Sequence, residues 1–163
     1  MKTITKLSKI IELGKEAEDE GKKLYIRWSR GPELDKRQGA SMDYTNYSRH
    51  NGLSAQPVRH DDPELLARMI PEYRFLRRKD AKIYCWIFAG EQNGVDTDNA
   101  PTIDSQTVQP IGRLSEELIE KCSDFDQAYN GLRNYAYNPS KPEHYERNAR
   151  IDQAIKLAWE QLD

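Results

Sequence analysis

One short run holds the residue types best suited to specific chemistry. In Leu24-Tyr-Ile-Arg-Trp-Ser-Arg-Gly-Pro32, strand alternation sets Tyr25, Arg27 and Ser29 on one face and Leu24, Ile26 and Trp28 on the other. A guanidinium beside a hydroxyl, opening onto a Gly-Pro turn, can hold a phosphate or a carboxylate: the planar fork donates two bonds and the hydroxyl a third. The same pair also suits an architectural duty, with Arg27 meeting a carboxylate on a neighbouring strand and Ser29 closing the turn. We take as the expectation that Arg27 serves a ligand more than it serves stability.

The remaining chemistry-bearing clusters point to ordinary surface and core duties. Tyr73, Arg74, Phe75, Arg77, Arg78 and Lys79 interleave aromatic and basic groups as nucleic-acid surfaces do, yet they also describe a helix end whose cations complement its dipole, and the helix end is expected. Asp96, Asp98, Asn99 and Asp104 lack the glycine and distal glutamate of a calcium loop and read as a polar hairpin. His50, His60 and His144 show no metal spacing, and neither a Gly-x-Ser-x-Gly elbow nor a phosphate loop is present, so no metal and no cofactor is implied. Cys85 and Cys122 lack paired spacing and are expected as two reduced, buried thiols.

Composition narrows the partners. The 163 residues carry 25 basic and 27 acidic side chains, a net charge of −2, so the chain exerts no general pull on nucleic acid or anionic lipid. No stretch approaches the ~20 apolar residues of a bilayer span, and Met1-Lys-Thr-Ile-Thr-Lys6 runs into charge rather than an apolar signal core; a cytoplasmic protein with neither membrane nor nucleic-acid partner is expected. Leu, Ile, Val and Phe total only 31 residues, but nine Tyr and three Trp add apolar area. One domain is expected over 1–163, sheet-bearing over about 23–112 and helical over about 115–163.

These side chains need elements to position them. Ile4, Leu7, Ile10, Ile11 and Ala17 recur at helical spacing and predict a helix over 3–20, with Gly14 inside it. Strands are predicted over 23–30, 52–58, 82–90 and 102–110. The second is an edge because Pro57 cannot donate, the third is central because it is apolar on both faces, and the fourth is its antiparallel partner. Residues 31–51 read as a long surface loop. Asp62-Pro63 starts a helix with Leu65, Leu66, Met69 and Ile70 inward, which Pro71 should kink or end. Ser115, Ser123 and Ser140 head three more helices, the last with the stripe Tyr145, Ile151, Ile155, Ala158, Trp159 and Leu162. The fold class is α+β: a small, mostly antiparallel sheet flanked by an N-terminal helix and a C-terminal helical layer.

Leu24 to Pro32, then Ser41-Met-Asp43, then Gly52-Leu-Ser-Ala-Gln-Pro57, in that order, resemble an uncharacterised family of small bacterial proteins. The strand Ile83 to Gly90 and the polar loop Gly94 to Pro101 are similar too, so the likeness spans roughly 24–112, leaving the tail beyond Ser115 outside it. Where such relatives carry tryptophans after Gly-Leu-Ser, this chain has Arg59-His-Asp-Asp-Pro63. The resemblance implies no activity. It does add Ser41, Asp43 and Ser54 to Tyr25, Arg27 and Ser29 as candidate ligand-binding residues.

A fold-level analogy to ADP-ribosyltransferase-like domains casts Arg27 and Ser54 as the grip on a dinucleotide, with only Glu91 and Gln109 near strand ends to stand for the catalytic glutamate. Two readings follow. One is a small cytoplasmic binding or interaction protein with an anion-binding cleft around Arg27, its partner a small anion or another protein. The other is a transferase acting on a dinucleotide or phosphorylated ligand in the same cleft. Convergence of Arg27, Ser29, Ser54 and an acidic residue on one pocket would favour the second.

Overall fold

The most apolar run of the chain organises everything else. In a computed structural model describing residues 1–41, 49–132 and 142–163, this run is β5, Tyr84–Ala89, the middle strand of a five-stranded sheet. On one side it pairs antiparallel with β2, Leu24–Ser29, which pairs in turn with the short edge strand β4, Gln56–Pro57. On the other it pairs antiparallel with β8, Gln109–Leu114, and β1, Lys2–Ile4, adds parallel to β8. The edge position expected from Pro57 holds for a local reason. Val58 N–H donates to the Leu24 carbonyl at 2.9 Å, so Pro57 falls in the rung opposite Tyr25 that exchanges no hydrogen bonds and its missing donor costs nothing.

A second, three-stranded sheet runs in the order β3 (Leu53–Ser54), β7 (Pro101–Ile103), β6 (Gln92–Val95). Alternation along β2 divides the core between the two faces of the large sheet. Leu24, Ile26 and Trp28 join the helical side, while Tyr25 joins Leu53, Ala55, Trp86, Phe88 and Ile103 beneath the second sheet. The helical side is formed by α1 (Leu7–Asp19), α3 (Pro63–Met69), α4 (Glu116–Gln127) and α5 (Pro142–Glu160).

The α+β class and both serine and aspartate caps appear as expected, with Ser115 Oγ accepting from Leu118 N–H at 3.1 Å and Asp62 from Leu65 N–H at 3.2 Å. Five sequence expectations are corrected. Residues 2–4 are a strand rather than the start of the first helix, because Ile4 fills the space above Gly112 on β8. α1 therefore begins at Leu7 without a side-chain cap; its free N–H groups at Leu7 and Ser8 are taken by the Leu162 carbonyl at 3.4 Å and Asp163 Oδ1 at 3.0 Å. The supposed strand 102–110 is split by a 3-10 turn at Ser105–Thr107, whose Gln106 N–H is held by the Asp104 carboxylate, so β8 rather than residues 102–108 is the partner of β5. Residues 31–51 contain α2, Pro32–Gln38, bounded by Gly31 and Gly39 at φ +115° and +76°. Ser123 lies inside α4 rather than at a new helix start, and Leu65 is exposed while Leu66 and Ile70 are fully buried. The proposed cap Ser140 lies outside the described residues.

Two arginines of the basic run at 74–79 are tied into the fold. Arg77 makes a two-pronged pair with Glu116, Arg74 pairs with Glu120, and the Arg68 guanidinium lies 4.1 Å from the Tyr129 ring centre. The Arg77 bonds hold the Glu116 carboxyl below its ordinary range.

Both thiols are free and fully buried. Burial pushes Cys85 well above the ordinary thiol range and Cys122 up to about 12, so neither supplies thiolate at neutral pH. A chromogenic disulfide reagent at pH 8 is expected to label neither in the native protein and both in guanidinium; rapid native labelling of either would contradict this burial.

Candidate binding cleft

The chain 53–57 belongs to both sheets and has to leave one to enter the other. At Gln56 it still pairs with Ile26 of β2; by Ser54 it pairs with Thr102 of β7, and Ala55 N–H donates to the Pro101 carbonyl at 3.0 Å. The fork so opened is spanned by Arg27. Its Nη1 donates to the Ser54 carbonyl at 2.7 Å and to Ser41 Oγ at 2.9 Å, and its Nε to Asp35 Oδ2 at 2.9 Å. Ser41 Oγ also accepts from Ser54 N–H at 2.7 Å.

Asp35 is the hub that sequence reasoning missed. Its carboxylate, on α2, takes Arg27 and the Ser29 hydroxyl at 2.7 Å, and that hydroxyl accepts from Trp86 Nε1 at 2.8 Å and Gly31 N–H at 3.1 Å. The signal was present: Gly31-Pro32-Glu33 reads as a helix start with Pro in the first turn, which would have placed a carboxylate one turn on beside the end of β2. The side chains of Arg27 and Asp35 are only 13% and 4% exposed, so the anticipated carboxylate partner exists, on a helix rather than a neighbouring strand.

Beyond this network lies a cleft of about 700 Å³, within the size range of small-ligand pockets. One wall is apolar and aromatic, from Trp28, Met69, Tyr73, Phe75 and Leu76. The opposite wall is polar, with Arg27, Ser41, Arg49, His50 and Ser54, and Asp96 and Asp98 from the β6–β7 turn complete the rim. Asp96 is engaged in its own turn, accepting from Asp98 and Ala100 N–H groups at 2.9 and 2.8 Å. Ser54 Oγ is buried with no hydrogen-bond partner among the described residues.

Of the six candidates, Arg27, Ser41 and Ser54 therefore meet at one cleft. Ser29 sits behind it in the Asp35 network, and Tyr25 points into the second core, where burial raises its phenol above the ordinary range. Asp43 lies outside the described residues. Tyr73 and Phe75, expected at a basic helix end, and Met69, expected inward, line the cleft, because nothing in a helical or turn sequence marks which apolar group faces a cavity rather than the core. The transferase analogy gains no support: Arg27 is committed to Asp35, Ser41 and Ser54, and neither Glu91 nor Gln109 lines the cleft.

Gly52 sets the position of this polar wall. A Cβ there would lie 2.4 Å from the Ile103 carbonyl oxygen, and the Gly52 carbonyl accepts from Ser41 N–H at 3.0 Å. Gly52→Ala is expected to lower stability by about 1–3 kcal/mol, read from urea unfolding, since backbone must move to admit the methyl group. An unchanged midpoint would show that the turn accommodates it.

The fold and cleft define an α+β protein with a preformed pocket at the fork between two sheets. A family model for a family of unknown function, DUF6098, matches residues 1–134, and the chain belongs to that family. The match reaches beyond the 24–112 likeness at both ends, taking in β1, α1 and α4. No curated protein and no solved structure gives a match.

Proposed function

We propose that this is a binding protein whose ligand occupies the cleft between β2 and the departing strand 53–57. The observation that carries the reading is the convergence of Arg27, Ser41 and Ser54, remote in sequence, on a cavity with one aromatic and one polar wall. Arg27 acts there as a fixed part of the wall, its charge balanced by Asp35, while Arg49, His50 and Lys79 supply the remaining basic lining. A ligand with an apolar body and an anionic or polar group matches both walls. The buried, reduced thiols suit a reducing compartment, which supports a cytoplasmic setting. Among the described residues no helix is long and apolar enough to cross a membrane.

The test is a fragment screen by amide chemical-shift mapping on the isotope-labelled full chain, including nucleotides, dinucleotides and organic anions. Hits are expected to move Trp28, Ser54 to Gln56 and Tyr73 to Leu76 together, and a ligand at 100 times its Kd to stabilise the fold by about 2.7 kcal/mol. Hits that cluster elsewhere would overturn the reading.

A further inference from the structure

Beside the cleft, no described strand completes the rung of β2 that follows the Ile26–Gln56 pair. Val58 N–H bonded to the Leu24 carbonyl, and the Ile26–Gln56 pair two residues on, fix Leu24, Ile26 and Trp28 as the β2 residues whose backbone groups face the β4 side. The next rung belongs to Trp28, and Ser54 would stand opposite. Ser54 has turned away: its N–H goes to Ser41 Oγ and its carbonyl receives Arg27 Nη1. No described strand pairs with Trp28 on that side, and Trp28 lines the cleft.

We propose that the ligand is an extended peptide segment of a partner protein, one residue of which completes the rung at Trp28. This rests on the binding reading above and names its ligand class. An antiparallel rung consists of one residue on each strand exchanging both N–H···O=C bonds, so the complement of a lone open rung is the N–H and C=O of a single extended residue, the unit a peptide presents. The rung is held ready. The Trp28 indole donates to the Ile70 carbonyl at 2.8 Å under the Arg77 guanidinium, and the following residue, Ser29, is tied to Asp35 and Trp86, so little ordering is left for binding to impose on the protein.

The two walls then set the peptide's pattern. Residues directly opposite in an antiparallel pair share a face, so the side chain of the pairing residue falls on the Trp28 side, against Met69, Tyr73, Leu76 and the half-exposed Phe75. Its two neighbours point to the Arg27 side, toward Ser41, Arg49 and His50. The recognised sequence has an apolar or aromatic residue flanked by polar residues, with an acidic one favoured beside Arg49.

The probe is a random seven-residue peptide library displayed on phage and selected on the full-length protein, followed by synthesis of the enriched peptide. The expected consensus is a single apolar position between polar ones. N-methylation of that apolar residue should weaken binding at least tenfold, while N-methylation of either neighbour, whose N–H points away from β2, should change it less than threefold. Bound peptide should slow hydrogen exchange of the Trp28 amide, and Phe75→Ala, at an exposed position, should weaken binding about fivefold or more. Absence of any enriched peptide, equal tolerance of N-methylation at all three positions, or unaltered Trp28 exchange would each overturn the proposal. Fragment hits in the cleft alongside such a failure would leave the binding reading standing and remove only the peptide.

Discussion

Asp35→Ala is expected to destabilise the protein by roughly 3–5 kcal/mol, seen as a large fall in the urea midpoint with little change in slope. The substitution leaves the Arg27 guanidinium in a site where its side chain is 13% exposed and removes the acceptor of the Ser29 hydroxyl. Arg27→Met should fall by a similar amount, because it strands the Asp35 carboxylate at 4% exposure. The double variant Arg27→Met with Asp35→Leu removes both charges and should recover much of the loss, since a buried pair contributes little beyond the penalty of breaking it. Against the expectation of a ligand-serving arginine, four hydrogen bonds to Asp35, Ser41 and Ser54 make Arg27 the tie that holds the fork open. If Arg27→Met left the midpoint within about 0.5 kcal/mol of the parent, the range of ordinary surface changes, and abolished binding, the ligand role would be restored.

Deleting residues 142–163 is expected to abolish cooperative unfolding. The deletion removes Ile151, Ile155 and Leu162, all buried, and the Trp159 ring that lies 5.1 Å from that of Phe125. Each such side chain contributes about 1.5–3 kcal/mol when fully buried, against a total stability of about 5–15 kcal/mol for an ordinary domain. α1 would also lose the Leu162 carbonyl and Asp163 carboxylate that satisfy its first N–H groups. The family match ends at residue 134, yet the helical core does not. A truncated chain that melted at the same temperature as the full one would refute the packing of α5.

The elements whose cause is local were legible. The β5 run is apolar on both faces and is central; Pro57 lacks a donor and sits at an edge; Ser115 and Asp62 cap the helices that follow them. Of the C-terminal stripe, Ile151, Ile155 and Leu162 are buried and Ala158 and Trp159 half-buried against the same core, while the Tyr145 side chain lies outside the described residues. These follow from side-chain periodicity and from backbone donors, quantities a linear text contains.

Pairing and cavities have no such local cause. Residues 102–110 and 109–114 are both short and strand-like, and only the turn at Asp104 and the space over Gly112 assign the first to the small sheet and the second to β5. Alternation put Arg27 and Ser29 on one face of β2, but what lies over that face depends on α2 folding back and on strand 53–57 changing sheets. The sequence alone therefore determined the α+β class and the central strand. The tertiary structure decided that the charge of Arg27 is balanced by Asp35 and that no described strand pairs with Trp28 on the β4 side, because a buried ion pair and a strand's partners are properties of distances between segments.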